Sequence, residues 1–325
     1  MLRQLKPRIF QTSRRGAATR LQIGQMPLLL YRRTADMVRM TLACIATLVA
    51  LTVSGCSSVP LKQGGTLQSY DRLGPAKGNL STSQAFVDAN GLLGVRSVSI
   101  VPTSFSASAA ARIKRAEDRA LVSNALNRAI CIALSDKYQM VSAGQPADLM
   151  VRTVITDVVP TNQGMAGVST VVSLGSSVVL PVGIPRLPVG LGGLAVEAEA
   201  LDRNGTQRAA IVWSRGANSI TNSPRVSEVG DAYDLASSFG SHFAQMIAAG
   251  KEPPALSVSM PSGQRIQSFL GGKPKYAACD AYGREPGVAG IVAGKIGAPP
   301  SWTDKSVQQA PAAPPLSRSA PTPPR

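Results

Sequence analysis

The chain has few of the side chains on which enzyme active sites are most often built. It contains one histidine, His242, and four cysteines among 325 residues. No serine, cysteine or acid stands at a recognisable motif spacing from that histidine. There is also no nucleophile elbow, P-loop, dinucleotide-binding glycine motif or paired-histidine metal motif. We therefore expect no catalysis, no cofactor and no metal site, and a packing role for His242.

Aromatic residues are scarce at 4%, and the net charge of +16 is unevenly distributed. Residues 1–55 carry nine basic side chains and one acidic, whereas residues 56–249 carry sixteen basic and thirteen acidic. The basic excess thus lies at the ends of the chain. Nucleic-acid binding would need aromatic platforms or a known motif, and neither is visible. The charge predicts no nucleic-acid partner and is typical of the flank of a membrane-targeting segment.

An uncharged apolar run follows that basic flank, from residue 40 to residue 61. Its strongly apolar part has the length of a signal peptide and is short for a transmembrane helix. The run ends in Val53, Ser54, Gly55 and Cys56, which resemble the lipobox of bacterial lipoproteins. The resemblance implies that the first three residues are recognised by a signal peptidase and that Cys56 carries the lipid, palmitate included. Several acyl chains on one residue would anchor the protein stably.

The residue after the lipobox predicts the membrane to which the lipoprotein is sorted. By the sorting rule of lipoproteins, Ser57 rather than aspartate implies the outer membrane, with the domain in the periplasm. The alternative is that Cys56 is an ordinary thiol after an uncleaved membrane anchor. Met37 begins a compact signal by itself, so a start at Met37 or Met26 is a further hypothesis. In either case residues 1–55 are interpreted as a signal peptide, with or without an N-terminal extension.

Residues 95–250 predict one α+β domain. Strands are indicated at 96–102, 148–159, 193–202 and 208–220, and helices at 109–137 and 228–249. Asn204-Gly205 favours a hairpin turn between the last two strands. We expect an antiparallel sheet of four to five strands with two helices packed on one face. Alternation in 193–202 leaves Glu197 and Glu199 on a face that is mostly solvated, where they discourage edge pairing.

The segments on either side of this domain predict little structure. Residues 56–94 are interpreted as a lipidated tether, and residues 251–325, rich in glycine and proline, as a largely disordered extension. The basic tail of that extension could meet peptidoglycan. Cys131, in the first helix, and Cys279, in the extension, could form a disulfide in an oxidising periplasm. The alternative is one buried thiol and one unrelated exposed thiol.

An insertion at residues 158–191 interrupts the domain, and residues 158–185 carry no charge. Such a long connection in a small domain is usually functional or disordered, and this one is too apolar for simple disorder. One interpretation is an extra hairpin packed on the sheet. The other is an exposed apolar loop that contacts membrane, a partner or another copy of the chain. The contact residues would then be Val178, Val179, Leu180, Ile184 and Leu187.

Four stretches together resemble a family of bacterial lipoproteins known as domain of unknown function DUF3313. They are the lipobox, SYDRLGPAKG (69–78), ADLMVRTVITDVVP (147–160) and GLAVEAEALDRNGTQRAAIVW (193–213). The resemblance covers about residues 56–249 and implies an envelope-anchored protein without enzymatic activity. We expect it to bind an envelope protein or peptidoglycan in envelope assembly or maintenance. The alternatives are an oligomeric secretion or pore-type component that uses the 158–191 insertion, and an unrecognised hydrolase.

Overall fold

A mixed β-sheet forms the centre of the protein. The computed structural model of the chain describes residues 59–179, 186–253 and 262–306, with the backbone alone for residues 173–179. Within these residues the strands are β1 Thr82–Val87, β2 Ser97–Ile100, β3 Ser104–Phe105, β4 Gln139–Val141, β5 Leu149–Val159, β6 Gly193–Asp202 and β7 Gln207–Gly216. They lie in the order β1-β7-β6-β5-β2-β4, and β3 pairs with β5.

The helices alternate with strands as far as β7, and only helices follow it in the part of the chain that the structure describes. In the described residues they are α1 Ala89–Leu92, α2 Ala107–Arg112, α3 Ala116–Leu134, α4 Gln163–Val179, α5 Gly230–Ala249, α6 Gly263–Phe269, α7 Ala277–Asp280 and α8 Gly287–Lys295. The predicted helix 109–137 is divided between α2 and α3. Ile113 divides it, because its backbone is extended and its side chain is fully buried. The predicted C-terminal end of the second long helix is confirmed at Gly250, whose φ of 65° is left-handed.

Strands β5, β6 and β7 form the antiparallel meander that the sequence predicts. Val151 lies opposite Ala200, and Ala198 lies opposite Ile211. Gly205, in the predicted turn, has a φ of 75°. The α+β class is therefore confirmed, and this meander supplies the long central strands of the sheet.

The expectation of a purely antiparallel sheet with four to five strands is wrong. Strand β2 runs parallel to both β4 and β5, and β3 also runs parallel to β5. The reason is the connection, because α3 carries the chain back across the sheet between β3 and β4 and returns it in the same direction. Strand β1 adds an antiparallel neighbour to β7.

Helices α3 and α5 cover one face of the sheet, where the main apolar core lies. The ring of Trp213 on β7 meets Phe239 edge-on at 5.4 Å between ring centres. The two helices approach closely at Gly240, where an added Cβ would lie 2.6 Å from the Cβ of Ala129. Trp213, Phe239 and Phe243 thus form an aromatic cluster where α5 meets the sheet.

The opposite face is covered by residues that precede β1. Leu67 packs with Ala210 and Val212, and Tyr70 packs against this cluster. The interpretation of residues 56–94 as a loose tether is therefore wrong for the part that the structure describes. This segment has no helical or strand periodicity, because it follows the surface of the sheet and takes its conformation from that contact.

The extension after α5 is folded over residues 262–306, contrary to the expectation of disorder. Its α7 is joined to α3 by a disulfide between Cys131 and Cys279. The fully buried Arg128 pairs with Glu285 at 3.2 Å and with Asp304 at 2.8 Å. Burial acts to lower the pKa of Arg128, but these two carboxylates and Tyr233 outweigh it, and the pKa is raised. Residues 307–325 lie outside the described residues.

Replacement of Gly240 by alanine should destabilise the protein by about 1–3 kcal/mol, because the new methyl group overpacks the contact between α3 and α5. Gly263→Ala is the matched control, since no atom lies within 4 Å of its added Cβ. Urea unfolding followed by circular dichroism measures both variants. Equal free energies of unfolding for the two variants would contradict the close approach.

Removal of the disulfide with Cys131→Ala and Cys279→Ala should lower the free energy of unfolding by about 2–4 kcal/mol, because the bond closes a long loop. The two cysteines are 148 residues apart in the sequence. Limited proteolysis should then cut residues 262–306 first. A reductant should reproduce the effect in the wild type and have no effect on the double variant. Unchanged protection of the extension would argue against this bond.

Candidate functional site

The residues that the sequence singled out for membrane contact fall mostly at the margin of the described structure. Val53, Ser54, Gly55 and Cys56 lie outside the described residues, and so do Leu180 and Ile184. Val178 and Val179 end the backbone of α4, and Leu187 is half-buried beyond it. The described part of the insertion nevertheless contains a surface that the sequence analysis missed.

The insertion forms a helix, α4, and the interpretation as an extra hairpin is wrong. Asn162 begins it, because its side-chain oxygen accepts a hydrogen bond from the amide of Met165 at 3.0 Å. No proline interrupts residues 163–179. Valine and serine favour strands by residue type, but Val168, Val171 and Val172 follow helical spacing on one side of α4.

In the part of α4 whose side chains the structure describes, up to Val172, exposure is the reverse of that in an ordinary surface helix. The side chains that face inward are small or polar: Ala166 is 1% exposed, Ser169 is 1% exposed and Thr170 is 7% exposed. The outward positions are Val168 at 50%, Val171 at 72% and Val172 at 37%. The Thr170 hydroxyl donates to the carbonyl of Ala166 at 2.9 Å, which satisfies it inside the protein. We call Val168, Val171 and Val172 the valine face.

A helix in water buries its apolar side and exposes its polar side. The valine face does the opposite, in a helix without a charged residue. Exposed apolar surfaces are common where proteins contact other molecules, so the valine face is the candidate functional site.

The valine face lies at the end of the sheet where the described chain begins. The side chain of Val59 is buried against Gly193, where an added Cβ would come within 2.1 Å of it. Gly193 pairs with Val159, the last residue of β5. Helix α4 begins four residues after Val159. The start of the described chain and the base of α4 are therefore neighbours.

Two buried glutamates on β6 hold the segment that starts at Val59. The carboxylate of Glu197 accepts hydrogen bonds from the amide of Gly64 at 2.6 Å and from that of Thr66 at 3.0 Å. It also accepts one from the hydroxyl of Tyr70 at 2.7 Å. Burial raises the pKa of Tyr70, as does its bond to Glu197. This phenol therefore remains a donor at neutral pH.

Glu199 makes the second set of contacts. Its carboxylate accepts from the amide of Gln68 at 2.7 Å and from the side-chain amide of Gln207 at 2.9 Å, and it pairs with Arg152. Both glutamates are 1% exposed. Their interpretation as a solvated face is wrong, because the segment before β1 covers them and supplies their donors.

A buried ion pair closes the base of the insertion. Asp231, in the first turn of α5, pairs with Arg186, and both side chains are 1% exposed. The same carboxylate accepts from the Thr161 hydroxyl at 3.0 Å and from the Gly192 amide at 2.7 Å. Thr161 precedes α4 and the other two partners follow it. Asp231 therefore ties both ends of the insertion to the core.

The remaining candidate groups do not gather into a site. His242 is half-buried on α5, and burial lowers its pKa. In the described ranges no three histidine, cysteine or acidic side chains form a group that could hold a metal ion. Among these same residues, no helix combines the length and apolarity that crossing a bilayer requires.

Glu197→Gln should lower the free energy of unfolding by about 2–3 kcal/mol, because an amide cannot accept all the donors that the carboxylate now satisfies. Tyr70→Phe should cost about 1–2 kcal/mol, because the hydroxyl donates to Glu197 and accepts from the amide of Leu67. Glu117→Gln, at the exposed start of α3, is the control. Urea unfolding and proteolysis of residues 59–77 measure the effects. A Glu197 variant as stable and as protected as the control would contradict this role.

Of the comparisons with known proteins, the one with family models agrees with the family resemblance. Among curated proteins no match to the sequence is found. Similar solved structures include the PelC dodecamer from Paraburkholderia phytofirmans, at 10% identity and a TM-score of 0.31, over 54% of this chain and 99% of that one. A dodecamer of a PelC point variant from the same organism gives 11% identity and a TM-score of 0.28, over 50% and 95% of the chains. The sequence pattern described as protein of unknown function (DUF3313) matches residues 62–243, and the chain belongs to that family.

Proposed function

We propose that the protein is a lipid-anchored component of the bacterial envelope that acts by binding and lies against the membrane through its valine face. The observation that carries this proposal is the reversed exposure of α4, with valines outside and Ser169 and Thr170 inside. The lipobox at residues 53–56 supplies the anchor, and Ser57 directs it to the outer membrane. Catalysis forms no part of the proposal.

The length of chain between the anchor and the domain supports this arrangement. Val59 is the third residue after Cys56, and three residues span at most about 11 Å. Since Val59 is buried against Gly193, a lipid on Cys56 would enter the bilayer close to the base of α4. The domain would therefore lie on the membrane surface, and the valine face would meet the boundary between head groups and acyl chains.

The dimensions of α4 favour lying in that boundary over crossing the bilayer. Its 17 residues extend about 26 Å, short of a hydrocarbon core of about 30 Å. Its inward side is bound to the protein. Partial burial of three valines is worth on the order of 2 kcal/mol, too little for stable attachment alone. The lipid would hold the protein, and the valine face would orient it.

A second candidate function uses the same surface. In an oligomeric secretion or pore-type component, the valine face would contact a neighbouring copy of the chain. The absence of charge from residues 158–185 suits either contact, because both remove α4 from water. The two candidates differ in whether lipid or protein covers the valines.

The anchor is tested by intact mass and membrane fractionation of the native protein beside Cys56→Ser. The wild type should begin at a triacylated Cys56 and sediment with the outer membrane, and the variant should be lost from that fraction. A wild-type protein that retains the residues before Cys56 would rule out the lipid anchor.

The valine face is tested with a chain that starts at Ser57 and therefore lacks the lipid. We expect weak sedimentation with phospholipid vesicles, reduced about tenfold by Val168→Asn with Val171→Asn. Leu93→Asn is the matched control, because Leu93 is 83% exposed and follows α1 at the opposite end of the sheet. Equal binding by all three chains would rule out the membrane contact. Oligomers abolished by the valine changes in sedimentation velocity, with vesicle binding unchanged, would favour the second candidate.

A further inference from the structure

A cavity of about 420 Å³ lies between the main domain and the folded extension. Helices α3 and α5, the loop after β7, and helices α6 and α8 all contribute to its wall. Its lining contains four cationic side chains, Arg128, Arg215, Arg225 and Lys295, and two acidic ones, Asp234 and Glu285. The cavity therefore exists only because the extension folds onto the domain.

Two of the four cations are neutralised within the protein. Arg128 pairs with Glu285 and Asp304, and Arg225 pairs with Asp234 at 3.1 Å. Arg215 and Lys295 make no ion pair with any described residue. Two of the four cations in the lining therefore have no ion-pair partner among the described residues, and the four cations together outnumber Asp234, Glu285 and Asp304 by one charge.

Arg215 occupies an unusual place for such a charge. Ala209, Ile211 and Trp213 point from β7 into the main core, and Arg215 continues on the same side of the strand. Its guanidinium makes no hydrogen bond in the described structure, and its Nε is buried without a partner. Burial lowers the pKa of Arg215, and an arginine nevertheless remains charged at neutral pH. The guanidinium is only half-buried, but its buried Nε is a donor without an acceptor in the described ranges, and an anion in the cavity would supply one.

The second arginine with an unused donor is Arg225. Its Nη1 is buried without a partner while its Nε faces Asp234. Neutral side chains with hydroxyl or amide groups complete the polar part of the lining: Thr221, Asn222, Ser223, Ser237 and Ser238. The cavity therefore combines guanidinium donors with hydroxyl and amide groups, which is the set that a tetrahedral oxyanion uses.

We propose that this cavity binds a phosphate monoester, with Arg215 as its principal ligand and Lys295 and Arg225 as further contacts. A phosphate monoester at neutral pH carries nearly two negative charges, so its oxygens can contact both cations that have no ion-pair partner among the described residues. A single carboxylate would leave one of them unpaired. The volume leaves room for the group that bears the phosphate, so the ligand is larger than the free ion.

Two sources can supply this chemistry, a soluble phosphate monoester and the head group of a phospholipid. Helix α8 contributes to the cavity wall, and Gly297, two residues after this helix, lies against Thr170 of α4. A lipid phosphate would reach the cavity if the valine face lies on a membrane, whereas a soluble ester does not depend on that. The experiment therefore uses one probe of each kind.

The test is calorimetric titration of the full chain in neutral detergent at pH 7.5. This pH lies above the pKa of Asp234, which burial raises to about 6 against the opposing effect of Arg225, so that ion pair is retained. One titrant is glycerol 3-phosphate, with glycerol as the uncharged control. The other is phosphatidic acid in mixed micelles, with phosphatidylcholine as its control. Each is titrated into wild type, Arg215→Gln and Arg203→Gln.

Arg203 is the matched control because it lies in the β6–β7 turn, at the opposite end of the sheet from Arg215. We expect saturable binding of at least one phosphate probe, weakened about tenfold or more by Arg215→Gln and unchanged by Arg203→Gln. Lys295→Gln should also weaken binding, and its exposed side chain can be replaced without loss of folding.

Binding of glycerol 3-phosphate with this arginine dependence supports the proposal for a soluble ligand. The same dependence with phosphatidic acid alone supports it for a lipid head group. The proposal is overturned if neither probe binds, or if binding is the same in wild type, Arg215→Gln and Lys295→Gln. Either result leaves the valine face unaffected, because the vesicle experiment measures that surface separately.

Discussion

The path of the chain across the sheet follows from the need to satisfy two buried carboxylates on the central strand β6. Glu197 and Glu199 are each 1% exposed, and an ionised carboxylate in that position needs donors from the protein. The segment from Gly64 to Tyr70 supplies amides and a hydroxyl, and Arg152 supplies a countercharge. By covering this face of the sheet, the segment brings Val59 to the start of β6 and so places the beginning of the folded chain beside α4.

Polar and covalent contacts also explain how the extension is attached to the domain. Its helices are short, but a disulfide and a buried arginine attach them to α3. The Tyr282 hydroxyl adds a bond to the carbonyl of Ile100 at 3.0 Å. These attachments create the cavity that Arg215 enters, and they place α8 beside the insertion. Polar and covalent contacts thus do for the extension what a continuous apolar stripe does for α5.

The long central strands and α5 could be predicted because each carries its own periodic signal. Strand β6 has the bounds that the sequence indicates, 193–202, and α5 begins within two residues of its predicted start. Strands β3 and β4 have two and three residues and form only because β5 and β2 offer them edges. The insertion was misassigned because valine and serine favour strands locally, whereas Asn162 caps a helix and Thr170 bonds within it.

The proposed functional surfaces could also be predicted from the sequence only in part. The sequence located the uncharged insertion, but it named residues toward its end, while the exposed valines that the structure describes lie nearer its start. It identified Cys131 and Cys279 as a pair that could bond, and the folded extension brings them together. The roles of the glutamates on β6 and of Arg215 could not be predicted, because they depend on distant residues. The glutamates are covered by a segment more than a hundred positions away, and Arg215 shares its cavity with α3 and α8, each at least seventy positions away.

The sequence by itself determined the family, the α+β class, the central meander and the lipobox resemblance, since each rests on residues close together in the chain. Only the tertiary structure decided which faces are buried, that residues 59–77 cover the sheet, and that an unpaired arginine meets a cavity. The physical reason is that burial and charge compensation depend on distances in space, and periodicity along a chain reports only which side of one element a residue occupies.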